Sequence, residues 1–156
     1  MHKRTRSLKN RVGEQGGTLV EFAVVFMVFL TFLFGLLDFG RALYVYHFVS
    51  YAARDGTRFA IVRGAACTTF PTACPTKLDG SEVRGYLQAG VPPGVDPNAL
   101  TVTTTWPGNN PGCTGPVNSP GCVVNVKVQY NFSFIIPFVP KLTSLMTSTS
   151  QMVISQ

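Results

Sequence analysis

The sequence predicts an α+β protein in which one long N-terminal helix packs its far half on a small antiparallel sheet. Three observations carry this. An apolar run from Leu19 to Leu37 is interrupted only by the charge of Glu21. The proline-free stretch after it keeps apolar and small residues at intervals of three and four. Farther on, "VVNVKVQYNFSF" alternates apolar with polar residues, the period of a half-buried strand.

The apolar run comes first. Its nineteen residues, at about 1.5 Å each, extend roughly 28 Å, close to the ~30 Å hydrocarbon core of a bilayer. A hydrophobic content of 46% against only 13% charged residues agrees with a membrane segment. The formal charge of +6 does not describe a folded surface. Lys3, Arg4, Arg6, Lys9 and Arg11 all precede the run with Glu14, which leaves eight basic against six acidic side chains after residue 16. A basic head before a span places the N-terminus in the cytoplasm and the remainder outside it. No basic patch with interleaved aromatics remains, so nucleic acid is not an expected partner. The run is too long for a signal-peptide core, and "LLDFGRALYVYH" offers no small-residue cleavage site, so the span is expected to be retained.

Beyond the span, Ala42, Val45, Val49, Ala52, Gly56 and Phe59 mark one helical face. Asp38–Arg41 and Asp55–Arg58 are acid-before-base pairs three apart, worth perhaps ~0.3 kcal/mol each on a solvated face. The spacing predicts one helix from Thr18 to about Arg63, near 69 Å long. Gly35, Gly40 and Gly56 each cost up to ~1 kcal/mol there, which suits bends or close approach of another backbone. "CTTFPTACPTKLDG" ends the helix. "SEVRGYLQAG" reads as a short helix with Ser81 as its cap, "NALTVTTTW" as a strand, "PGNNPGCTGPVNSPGC" as a loop, and Ser148–Ile154 as a final strand. The divisions are a leader at 1–16, the long helix at 17–63, and an exported α+β domain at 64–156.

All four cysteines, Cys67, Cys74, Cys113 and Cys122, fall in that exported region. Proximity favours 67–74 and 113–122 among the three possible pairings, and an oxidising compartment permits both. A zinc site is disfavoured, since six and eight residues intervene within the pairs and the histidines are only His2 and His47. No metal or cofactor site is expected. His47, Ser50 and Asp55 on one helix do not build a nucleophile–base–orienter array, and no small-molecule substrate site or enzyme activity is expected. His47 among Tyr44, Tyr46 and Tyr51 suits the membrane interface better.

Glu21 is the anomaly. A charge at mid-bilayer costs about 2.5–3.5 kcal/mol on insertion scales, and a carboxylate near the end of a span can snorkel to the headgroups. Its neighbours suggest more. With Gly16 as the last leader residue, Gly17 is position one and Glu21 position five, followed by Phe22. "GGTLVEF" resembles the leaders of type IV pilins and pseudopilins, in the form found in tight-adherence (Tad) pilus proteins. Asp38, Phe39, Gly40 and Arg41, then Ala52, Ala53, Arg54, Gly56, Arg58 and Ala60, resemble the TadE-like family pattern over about residues 16–62. Residues 64–156 carry no such motif.

The resemblance implies a structural subunit, cut after Gly16 by a prepilin peptidase at the inner membrane. It implies assembly with other Tad pilins, pseudopilins and platform proteins through the helix. Cleavage after Gly17 is the lesser alternative, because Gly is unusual at position one. The new amine of Gly17 could pair with a neighbour's Glu21, making a costly lone carboxylate much less so. Arg54 and Arg58 either form a solvated face or contact the exported domain or a neighbouring subunit. The other reading is an uncleaved single-pass anchor whose exported sheet binds a partner.

Overall fold

The computed structural model describes residues 12–65, 78–135 and 143–155. A single helix, α1, runs from Val12 to Ile61. It starts before the predicted Thr18 because nothing between Val12 and Gly17 forbids helix. That stretch has no proline, and its three glycines weaken a helix without ending it. Helix α2 spans Ser81–Ala89, a short 3-10 turn spans Pro97–Ala99, and three strands follow: β1 Leu100–Thr105, β2 Val123–Ser133 and β3 Thr143–Val153. They form one antiparallel sheet in the order β1-β2-β3. The predicted α+β architecture is the observed one.

Strand β2 lies at the centre because its alternation is the strongest in the chain. Val124, Val126, Val128, Tyr130 and Phe132 are buried on one face, while Lys127, Asn131 and Ser133 are exposed on the other. Burying each aliphatic or aromatic side chain contributes at most about 1.5–3 kcal/mol. Strand β3 begins five residues earlier than the expected Ser148. Its pairing with β2 runs unbroken from Ser133↔Thr143 to Val123↔Val153. The Ser/Thr-rich tract has weak hydrophobic alternation, so this long cross-strand ladder, rather than its own pattern, fixes its extent.

Outer α1 covers the β2–β3 part of the apolar face. The buried residues are Asp38, Val45, Val49, Ala52, Ala53, Gly56, Thr57 and Ala60. Ala53, Thr57 and Ala60 widen the predicted stripe, and Phe59, partly buried against the core, also stacks on Tyr86 of α2, with centroids 4.3 Å apart. The Thr57 hydroxyl donates to the carbonyl of Ala53 at 2.7 Å and to that of Ser150 at 3.3 Å, so its burial leaves no orphan group. At the helix end, the Ile61 carbonyl accepts from the Ser155 backbone N–H and hydroxyl, at 3.1 and 3.2 Å. The tail of the sheet therefore caps the helix.

Two local expectations change. Ser81 does not cap α2; the cap position is Gly80, at φ 69°, where a side chain would also collide with Thr104. The Asp79 carboxylate instead accepts from the Ser81 N–H at 2.9 Å, since a left-handed cap leaves Ser81 already inside the helix. The disulfide Cys113–Cys122 is present and fastens the β1–β2 loop to the start of β2. Asn110 reinforces that junction, accepting from the Val123 N–H at 3.1 Å and donating to the Gly121 carbonyl at 2.6 Å. Cys67 and Cys74 lie outside the described residues.

Candidate assembly helix

The inner part of α1 presents its side chains outward. From Gly16 to Leu37 nearly every residue is exposed, including Leu19, Phe22, Phe26, Phe29 and Leu37. Among the described residues this is the one helix long and apolar enough to cross a membrane, and none of its apolar window is covered by the rest of the protein. Leaving so many large apolar groups uncovered suits lipid or another helix, not water. Glu21 is exposed on this surface, and Phe22 stacks with Phe26, centroids 5.8 Å apart. Gly16, Gly17, Gly35 and Gly40 have open space where a Cβ would project. A neighbour's backbone could approach closely at each.

At Asp38, the first polar residue past the apolar run, the sheet is tied to the helix. Asp38 is 4% exposed. Its Oδ1 accepts from Arg41 Nη1 at 2.8 Å, and its Oδ2 accepts from the Ile135 N–H at 2.6 Å. A buried carboxylate is stable only when its oxygens are matched in this way. Arg41 also sits over the Phe132 ring, 5.4 Å from its centroid, and Phe134 meets Phe132 edge-on at 5.0 Å. The four-residue block Asp38–Arg41 thus divides its work: Asp38 and Arg41 hold the end of β2, while Phe39 and Gly40 face outward.

The second block divides similarly. Ala52, Ala53, Gly56 and Ala60 are buried in the helix–sheet contact. At Gly56 an added Cβ would lie 2.8 Å from Leu87 Cδ1 and 3.3 Å from both Val83 and Val126. Among the three glycines considered for bends or close approach, Gly56 is the one packed tightly, and α1 continues through all three. Arg54 and Arg58 are exposed, and among the described residues neither forms an ion pair with Asp55. Asp55 instead lies near Tyr86, whose pKa its carboxylate raises above the ordinary value of 10.0, by hydrogen bonding to the phenol and then by its charge. The sequence suggested the acid–base spacing at 55 and 58, but gave no signal for the bond to Tyr86 on another helix.

Residues 16–58 match the family model described as TadE-like protein. This segment is TadE-like. No curated protein and no solved structure matches the chain. The TadE-like segment begins on Gly16, includes Glu21 and the Asp38–Arg41 block, and ends on Arg58. Together with the membrane-length helix, it fits a pilin-like protein of a Tad pilus. Such proteins are structural rather than enzymatic in kind. Among the described residues no cluster of three His, Cys, Asp or Glu could hold a metal.

Proposed function

We propose that this chain is a membrane-anchored minor pilin or pseudopilin of a Tad-type pilus assembly and secretion system. A prepilin peptidase of the inner membrane cuts it after Gly16, and it assembles through α1 with other Tad pilins and platform proteins. The basic leader at 1–16 faces the cytoplasm, the inner part of 17–63 spans the bilayer, and 64–156 is the periplasmic domain, which can be carried into an extracellular pilus. The supporting observation is that the TadE-like match starts on Gly16 and includes Glu21, five residues farther on.

The chemistry follows from where the charges lie. Cutting after Gly16 frees an amine at Gly17. Glycine at the junction suits a peptidase because no Cβ holds the enzyme away from the backbone. Glu21 is exposed on an otherwise apolar surface, a position that disfavours the lone subunit in lipid. A neighbour's amine satisfies that carboxylate and so favours the assembled state. Gly35 and Gly40 leave room for adjacent helices.

The second reading, an uncleaved single-pass anchor, draws on the continuity of α1 through Gly16 and Gly17. A peptidase would have to unwind that turn to reach the bond. N-terminal sequencing of the membrane-extracted protein separates the two. A mature start at Gly17, lost in Gly16→Ala, is the expected result, and Glu21→Ala should be cut normally yet recovered less with partner pilins. A product that retains the basic head in its native host overturns the pilin reading.

A further inference from the structure

Two contacts fix the course of the β2–β3 hairpin along α1. Asp38 Oδ2 accepts from the Ile135 N–H at 2.6 Å, and the Thr57 hydroxyl donates to the carbonyl of Ser150, the partner of Val126, at 3.3 Å. Nineteen residues of helix separate Asp38 from Thr57, about 28 Å, and nine residues of chain separate Val126 from Ile135, about 30 Å. The two spans nearly match, so β2 lies alongside α1 and descends toward the apolar run. The strand reaches the level of Asp38, one residue past Leu37, at Ile135.

What stands at that level is apolar and uncovered. Ile135 is 68% exposed, and Phe39, next to Asp38 on α1, is 61% exposed. They extend the exposed apolar surface of Leu36 and Leu37. The sequence joining Ile135 to Thr143 is "IPFVPKL", in which Lys141 is the one polar residue, the reverse of an ordinary water-facing connection. Arg41 and Tyr44, both exposed, are residue types that gather where lipid meets water. The group that lipid tolerates least, the Asp38 carboxylate, is enclosed and matched by Arg41 and the Ile135 N–H.

We infer that the end of the β2–β3 hairpin is a second membrane contact, with Ile135 entering the interface of the bilayer that α1 spans. Its partner is lipid at the depth of Phe39, where headgroups give way to acyl chains. The headgroup layer is about 5–8 Å deep on each side of the hydrocarbon core, and Asp38 follows the apolar run directly. Two attachments, span and hairpin, hold the sheet against the bilayer, whereas a single anchor leaves it free to swing. The inference rests on the membrane-span reading above, but not on cleavage at Gly16 or on assembly with other subunits.

The test uses the full chain in phosphatidylcholine nanodiscs whose acyl chains carry bromine, a contact quencher of tryptophan, near the headgroup or near the bilayer centre. Trp106 is the one native tryptophan. It follows Thr105, whose partner Asn125 lies about 33 Å along the strand from Ile135, so its emission supplies the baseline. Ile135→Trp should lose emission to the shallow bromines more than to the deep ones. Leu145→Trp puts the same ring at an exposed site opposite Asn131, about 13 Å farther from the apolar run, and should lose none. Both rings share one preference for interfaces, so their difference reports position. Ile135→Trp quenched no more than Leu145→Trp overturns the inference, whether both escape or both are quenched. Phe29→Trp, in the middle of the apolar run, should lose emission to the deep bromines and reports the span. If Phe29→Trp escapes while Ile135→Trp is quenched, the span reading falls and the hairpin contact stands. The reverse pattern keeps the span and removes the hairpin contact.

Discussion

Asp38 Oδ2 accepts a hydrogen bond from the backbone N–H of Ile135 at 2.6 Å, joining residues 97 apart in the chain. The other carboxylate oxygen holds Arg41, which sits over Phe132. This contact lies one residue past the apolar run, where α1 stops being uniformly apolar and exposed and starts to cover the sheet. It ties the end of β2 to the helix.

Removing the carboxylate should therefore cost stability. Asp38→Ala removes a part-buried hydrogen bond to a charged group, worth at most about 1.5–3 kcal/mol. Asp38→Asn keeps one acceptor and should lose less. Urea unfolding of the detergent-solubilised chain gives the order, wild type above Asn above Ala. Equal midpoints for Asp38→Ala and wild type would show that the contact adds nothing.

The glycines of α1 should respond to alanine with opposite signs. At Gly40 a Cβ meets open space, so Gly40→Ala gains helix propensity, up to ~1 kcal/mol. At Gly56 the same methyl meets Leu87, Val83 and Val126, and overpacking of about 1–3 kcal/mol outweighs that gain. Thermal unfolding should place Gly40→Ala at or above wild type and Gly56→Ala below it. A Gly56→Ala protein more stable than wild type would mean that α2 can move aside freely.

Tyr86 offers a pH test. The hydrogen bond from its hydroxyl to Asp55, and then the negative charge of Asp55, favour the neutral phenol and raise its pKa above 10.0 in the folded protein. The sign follows from linkage: this contribution to stability is fully present below the unfolded tyrosine value of about 10 and is lost as pH rises through the folded value. Asp55→Asn should bring the ionisation back toward 10. The phenolate absorbance, taken as the difference between each protein and its Tyr86→Phe counterpart, reports this residue alone. An unmoved titration in Asp55→Asn would show that Asp55 does not hold the phenol.

Much of this was readable in the sequence because the signals were periodic. The apolar run, the three-and-four spacing of Val45, Val49, Ala52 and Gly56, and the alternation along β2 each state locally what they bury. Other features had no local statement. The full length of β3 depended on its ladder with β2, and the stacking of Phe59 on Tyr86 depended on a second helix. Asp38 and Asp55 read alike, each an acid three residues before an arginine. Only one pair formed, because Ile135 and Phe132 stand beside Asp38 and Arg41 while Tyr86 stands beside Asp55.

The chain's one-dimensional pattern determined the membrane-length helix, the central strand, the 113–122 pairing and the TadE-like segment. These follow from hydrophobic period, proximity and motif, which neighbouring residues encode. Tertiary structure decided which family positions turn inward and which remain outside, and it brought Tyr86 near Asp55. Helix, sheet and α2 must come together before Ala53 or Gly56 is enclosed and Arg54 or Arg58 is left facing solvent. Burial and charge pairing depend on residues distant in sequence, and no local spacing specifies them.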